Sequence, residues 1–297
     1  MIDFFKNLDV KIQAALISAL VTIFTLIISL FAKNFLEKKI HSKKLKLNYE
    51  YEQRSKLKNL LSEHKMDLLR CCESLNHRYH NLMENHKCNW LSVNVEKNKL
   101  DDKYYILSYV YRLLALFANI NLLEKKMIFL DTTISTKEDL YFIKFLKVFY
   151  LPFCNITPLT NGFTVDKDKK TDHFYINEFN EMSNYLIENE IIIGYKRFEE
   201  KLKEDNIEIM PIIKFLDGIS PDEERLRWDR LQLFHLSIIG FTNYFGYDYQ
   251  KHKTERLKDY YKLARPNKLV SNYGKIIETY KLGSIRVMKR ILKSMKK

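Results

Sequence analysis

Hydrophobic and polar positions follow three regimes along this chain. In the first, Ala14 to Ala32 form 19 consecutive residues without a charge, about 28 Å of helix at about 1.5 Å per residue, the hydrocarbon thickness of a bilayer. Only hydroxyls interrupt the apolar side chains, and a core helix of this length ordinarily keeps a polar edge. The run therefore predicts a transmembrane helix over residues 14–32. A cleaved signal would begin basic and end in small residues, whereas Asp3 and Asp9 offset Lys6 and Lys11, and Leu30 stands where a small side chain is wanted.

In the second regime the apolar positions advance by three and four: Leu57, Leu61, His64, Leu68, Cys72, Leu75, Tyr79 and Leu82 define one face of an amphipathic helix. No glycine or proline precedes Pro152, so the first half of the chain lacks the commonest breakers and long helices are expected there. The third regime is "YYILSYVYRLLALFANINLL", Tyr104 to Leu123, apolar nearly all round. It is long enough for a second span, but Arg112 near its middle is costly in hydrocarbon, and a buried central helix of a cytosolic domain is the preferred assignment.

Beyond it, "STKEDLYFIKFLKVFY" predicts a helix stopping at Pro152, followed by the loop-like "PFCNITPLTNGFTVDKDKK" and a helix opening at Thr171-Asp172. The runs "NEIIIGY" and "NIEIMPIIKFL" fit strand or helix equally. In "SPDEERLRWDRLQLFHLSIIGFTNYFG", Ser220 as N-cap, Pro221 in the first turn, Glu223 as capping-box partner and Gly246 past the end mark a helix. The tail "SIRVMKRILKSMKK" collects Ile285, Met288, Ile291, Leu292 and Met295 on one side, the pattern of a helix lying on a membrane surface. The expected architecture is mainly α. It comprises a short extracytoplasmic N-terminus (1–13), a transmembrane helix (14–32), a basic juxtamembrane stalk (33–60), a helical cytosolic domain (61–283) and a basic amphipathic tail helix (284–297).

Charge sharpens this picture. The formal net charge is +13, of which residues 33–60 contribute +6 and residues 281–297 contribute +7, leaving the remainder neutral. Lysine excess directly after the span places the bulk of the chain in the cytoplasm by the positive-inside rule. Basic ends on an anchored chain suit anionic lipid headgroups, with Lys38, Lys39, Lys43, Lys44, Arg286, Lys289, Arg290 and Lys293 as the lipid-binding candidates. Nucleic-acid phosphates attract the same residues. The four cysteines show no disulfide spacing, in keeping with a reducing compartment. Within the span, Ala15, Ser18, Thr22, Thr25, Ser29 and Ala32 fall on one seam of small residues, which favours self-association into a homo-oligomer. The alternative is that each hydroxyl bonds its own preceding turn.

Candidate chemistry is sparse. Cys71, Cys72, His77, His80, His86 and Cys88 are ligand types for zinc, yet neither C-x-x-C nor H-E-x-x-H occurs among them. Asp172-His173 reads as an acid–base pair or, more simply, as a helix cap. His235 shares an apolar stripe with Trp228, Leu231, Phe234 and Ile238, where a hydrogen-bonded core histidine is expected. With seven glycines in all there is no phosphate loop or dinucleotide fingerprint, and no metal, cofactor or catalytic residue is assigned. What remains is a candidate buried polar cluster, Arg112, Asp172, His173, Asp229 and His235, with Glu73, Asn76 and Arg225 beside it. Buried charge requires partners, so a structural network is expected first and a ligand pocket second.

The anchor, the lysine-rich stalk and the segments "ESLNHRYHNL", "LSYVYRLLALFA", "TDHFYINEFNEM" and "WDRLQLFHLSIIGFTNYFGYDYQ" together resemble a group of bacterial membrane-anchored proteins, some similar to the transmembrane effectors of anti-phage retron systems. The resemblance implies antiviral defence by abortive infection at the bacterial inner membrane, with a reverse transcriptase and its RNA–DNA product as partners that restrain a toxic effector until infection. It implies no catalytic residue, and effectors of this kind can carry two spans. Against a non-enzymatic effector or sensor stand a membrane-tethered enzyme acting on lipid or nucleotide through Arg112, His173, Asp229 and His235, and a membrane-anchored nucleic-acid-binding protein using the stalk.

Overall fold

The computed structural model describes residues 9–93, 103–156, 171–204, 207–253, 257, 263 and 268–295. Its elements, in order, are α1 (Val10–Glu84), α2 (Tyr104–Met127), α3 (Lys137–Cys154), α4 (Ile176–Asn184), β1 (Ile187–Glu188), β2 (Ile191–Ile192), α5 (Tyr195–Glu204), α6 (Met210–Leu216), α7 (Arg227–Phe245), α8 (Lys268–Thr279) and α9 (Arg286–Met295). The protein is mainly helical. It divides into two units, Met1–Ser55 and Lys56–Lys297, with α1 contributing to both.

In the first unit α1 carries the apolar run. Every residue from 14 to 32 is exposed, Phe31 at 73% and Phe24 at 67% among them. This stretch is long and apolar enough to cross a membrane. The helix continues without a break through the lysine-rich stretch, as its lack of glycine and proline allows.

The core of the second unit begins at Leu57, inside the last turn of the expected stalk, because Leu57 and Leu61 are already buried. Helix α2 is enclosed, with Ile106, Val110, Leu113, Leu114, Phe117, Ile120 and Leu123 all inaccessible. It packs against α4, α5, α6 and the hairpin. Helix α7 is enclosed as well and is held by α3, α8 and α9. Aromatic edges fill the space between: Phe117 lies 4.7 Å from both Tyr150 and Phe179, and Phe153 lies 4.9 Å from Phe234. Phe149 meets Phe241 at 5.5 Å along the α3–α7 contact. Edge-to-face pairs of this kind add about 0.5–1.5 kcal/mol beyond area burial.

The ambiguous runs resolve by their backbones. "NEIIIGY" becomes a two-stranded hairpin whose turn residues Asn189 and Glu190 have φ of 51° and 62°, the positive angles a two-residue turn between twisted strands demands. "NIEIMPIIKFL" instead gives α6, with Pro211 in its first turn.

Four expectations are corrected. Helix α3 passes through Pro152 and ends at Cys154, since a proline in the last turn forfeits only one N–H, while Asn155 N–H still reaches the Leu151 carbonyl at 3.1 Å. The next helix opens at Ile176 rather than at Thr171-Asp172; Asp172 has φ of 52° and its carboxylate faces Arg225 instead of capping amides. Ser220 does not cap α7, which starts at Arg227: the Ser220 hydroxyl takes the Asp222 N–H at 3.2 Å, and Glu223 is drawn into an ion pair with Arg227. Finally, the apolar side of the tail does not lie open for lipid. Met288, Ile291 and Met295 are buried, and α9 packs on α7 and α8. The contact is close because position 240 is glycine; a Cβ there would stand 2.7 Å from Met288 Sδ. The expected tail helix is thus part of the second unit, and only its basic side, with Arg286, Lys289, Arg290 and Lys293, faces outward.

Replacing Met288 with alanine is expected to lower the unfolding free energy of the second unit by about 2–5 kcal/mol, while Lys289→Ala stays within about 0.5 kcal/mol. Urea unfolding of the full chain in neutral detergent, followed by tryptophan fluorescence, checks both.

Candidate functional site

The expected seam lies on the exposed face of α1. Thr22 Oγ1 donates to the Ser18 carbonyl at 2.8 Å and Thr25 Oγ1 to the Val21 carbonyl at 2.7 Å, so these two hydroxyl protons are engaged in their own helix and only oxygen lone pairs are left to receive a neighbour. Ala15, Ser18, Ser29 and Ala32 are exposed beside them. Further along, Lys38, Lys39, Lys43 and Lys44 are exposed, and Lys33 is 3.9 Å from Glu37 one turn on.

In the second unit, α1 and α2 frame a cleft. One cavity of about 510 Å³ is lined by His64, Cys71, Tyr111, Asn119, Leu122 and Ile192, and another of about 420 Å³ by Glu73, His77, Arg78 and Asn81; both include Arg70, Ser74 and Arg112. Arg70 is neutralised by Asp67 one turn before it. Arg112 and Arg78 are different. Arg112 Nε donates to Ser74 Oγ at 2.6 Å and its Nη1 to the Ser108 carbonyl at 2.9 Å. Both Arg112 Nη1 and Arg78 Nη2 then converge on the Ser108 hydroxyl, the latter at 2.8 Å. Arg78 also lies over the ring of Tyr105 at 4.8 Å. Among the described residues no carboxylate comes within ion-pair distance of either guanidinium. The two cations are thus held by hydroxyls, one backbone carbonyl and aromatic faces, none of which carries a compensating negative charge. Hydrogen bonds with Ser108 foremost, and then with Arg112 and Arg78, hold the Tyr104 phenol below its usual range.

The five residues of the expected polar cluster do not meet in one place. Arg112 belongs to the cleft. His235 lies in the core, stacked on Tyr79 at 3.9 Å, with Tyr109 OH at 2.5 Å from its Nε2 and Asn76 Oδ1 at 3.5 Å from Nδ1. Burial pushes its pKa well below the ordinary histidine value, so the ring is a neutral packing element. Asp172 is paired with Arg225 through both carboxylate oxygens, at 3.1 and 3.2 Å from Nε. His173 Nδ1 is 2.6 Å from Thr171 Oγ1, and Asp229 is buried near the start of α7.

Three arginines that sequence reasoning passed over organise these surroundings. Arg78 joins Arg112 in the cleft. Arg230, fully buried, donates to the carbonyls of Pro152 (2.5 Å), Asn155 (3.0 Å) and Thr171 (2.8 Å), and burial lowers its pKa to about 10 despite the nearby carboxylates of Asp172 and Asp229. Arg227 Nη1 donates to Phe215 and Asp217 carbonyls at 2.8 Å each and so caps the C-terminus of α6. The spacing Arg227-x-x-Arg230, two long cations one helical turn apart inside an otherwise apolar stretch, is the signal that marks them. The thiols are protected ones: burial raises the pKa of Cys71 to about 11 and of Cys154 to about 12. Among the described residues, no three His, Cys, Asp or Glu side chains are grouped to hold a metal ion. Comparison with protein-family models, with curated proteins and with solved structures finds no match.

A neutral buried His235 has a pH signature. The unfolded chain takes up a proton below pH about 6.5 that the folded chain refuses, so stability is full above that pH and falls as pH drops, by up to about 1.4 kcal/mol per pH unit. Urea titrations of wild type and His235→Gln at pH 7.5, 6.0 and 5.0 are expected to show the wild type losing more stability toward low pH than the variant.

Proposed function

We propose that this protein is a membrane-anchored effector or sensor, held by the N-terminal part of α1 with the second unit in the cytoplasm. The single observation that carries the reading is the fully exposed apolar stretch at 14–32. An apolar helix uncovered on all sides is stable in hydrocarbon and strongly unfavourable in water. The lysines that follow it supply the orientation, and Lys38, Lys39, Lys43 and Lys44 supply a lipid-facing charge at about 1 kcal/mol each near an anionic surface. Arg286, Lys289, Arg290 and Lys293 add charge but no apolar insertion, since the other side of α9 is buried. The resemblance to retron-associated effectors supports a role in anti-phage defence, in which a reverse transcriptase and its RNA–DNA product hold the protein inactive and its release compromises the inner membrane. A non-enzymatic action fits the dispersal of Arg112, His173, Asp229 and His235 over separate environments.

The chain is expected in the membrane fraction after alkaline extraction, with a C-terminal tag untouched by protease added to intact spheroplasts; release by carbonate, or loss of the tag, overturns the anchor or its orientation. The seam is expected to mediate self-association. Ser18→Leu with Thr25→Leu should reduce crosslinked oligomers and any membrane depolarisation on overexpression, while Ile23→Leu with Ile27→Leu leaves both unchanged. Equal behaviour of the two pairs reduces the span to a tether.

A further inference from the structure

We infer that the α1–α2 cleft is a binding site for a small, soluble phosphate ester, with the phosphate between Arg78 and Arg112 and the organic group along Tyr111, Asn119, Leu122 and Ile192. The inference stands on the second unit alone and is separable from the membrane reading.

Three features point to an anion. Arg78 and Arg112, from two different helices, meet at the single hydroxyl of Ser108, and no carboxylate neutralises them among the described residues. Like charges brought together at a half-buried site are stable when a counter-charge joins them. Arg112 is also pre-oriented, its Nε fixed on Ser74 and its Nη1 on the Ser108 carbonyl, so it loses little freedom on receiving a ligand. The hydroxyls of Ser74 and Tyr104 stand beside the two guanidinium groups. Such an array of forked donors and hydroxyls matches a tetrahedral phosphate with three charged oxygens better than a planar carboxylate with two.

The rest of the cleft specifies the class. The cavity of about 510 Å³ shares Arg70, Ser74 and Arg112 with the smaller one that Arg78 lines, and it is within the range of small-molecule sites and larger than inorganic phosphate needs. Its walls mix Tyr111, Leu122 and Ile192 with polar Asn119, and His64 Nε2 is shielded from solvent there without a hydrogen-bond partner among the described residues. The aromatic, aliphatic and amide part of this lining, set beside the charged Asp67, Arg70, Arg112 and Glu190, suits an organic group of about nucleoside size. Two carboxylates, Asp67 and Glu190, line this cavity too, Asp67 paired with Arg70 and Glu190 in the hairpin turn, while Glu73 takes the Gln250 amide at 2.9 Å. Glu73 is the one carboxylate lining the smaller cavity and works against an anion there.

The experiment is calorimetric titration of the full chain in neutral detergent with inorganic phosphate, adenosine 5′-monophosphate and glycerol 1-phosphate, alongside flotation with phosphatidylglycerol vesicles. Adenosine monophosphate is expected to bind more tightly than inorganic phosphate. Arg112→Gln should weaken it about ten- to hundredfold, the loss of one charge-assisted contact, and Glu73→Gln should strengthen it. Ile191→Glu changes an exposed residue at the cleft rim, so it tests the site without disturbing the core; it should weaken the nucleotide while circular dichroism stays unchanged. Absence of binding by any soluble phosphate, equal binding by wild type, Arg112→Gln and Ile191→Glu, or Arg112-dependent binding to vesicles alone each overturns the assignment.

Discussion

A helix enclosed on every side has no solvent-facing stripe on which to leave its polar groups, and α7 is such a helix. Arg227, Arg230 and His235 must therefore find every partner inside the protein. Much of the second unit is arranged to supply them. Arg230 gathers the carbonyls at the end of α3 and the one at Thr171, fixing both ends of the intervening segment. Arg227 gathers the carbonyls at the end of α6. His235 receives Tyr79 from α1 and Tyr109 from α2. The Arg230 and His235 contacts join segments distant in sequence, while ring edges around Phe117, Phe153 and Phe234 fill the space between the helices.

The arginines of this unit serve two ends, told apart by what they touch. Arg227 and Arg230 each place Nε, Nη1 and Nη2 on backbone carbonyls or, for Arg227, also on the Glu223 carboxylate, which commits most of their five donors to the fold. Arg78 and Arg112 meet hydroxyls, aromatic faces and a single carbonyl, that of Ser108, which orient a guanidinium without neutralising it. That commitment makes the first pair structural. Orientation without neutralisation makes the second pair a receptor for charge, and it lies where α1 and α2 leave a cleft rather than where they pack.

The packing of α9 shows how the same surface pattern serves two environments. Met288, Ile291 and Met295 on one side with cations on the other is equally the pattern of a helix on lipid and of a helix on a protein core. The choice falls to the core because α7 presents a glycine at position 240, where Met288 enters a space any larger residue would fill. The run at 14–32 meets no such complement among the described residues of its own unit, and its apolar surface stays exposed.

By itself the sequence determined what depends on local composition and period. The mainly helical class, long helices in the first half of the chain, the apolar run at 14–32 and the enclosure of the segment around Arg112 follow from residue spacing and from the lack of glycine and proline before Pro152, while the absence of any break among the lysines of α1 is a finding of the structure. His235 as a hydrogen-bonded core histidine was legible because its stripe of apolar neighbours is local too. Partners distant in the chain settle the rest. Ser220 and Asp172 carry proper cap chemistry, yet Arg227 draws Glu223 away and Arg225 draws Asp172 away, since a charged partner outweighs a cap. Pro152 reads as a terminator, but its carbonyl is held by an arginine 78 residues later. Arg78 and Arg112 are 34 positions apart in sequence and belong to helices of different pattern; nothing in either helix alone announces that both will close on one serine hydroxyl, because that convergence is fixed by how α1 and α2 pack.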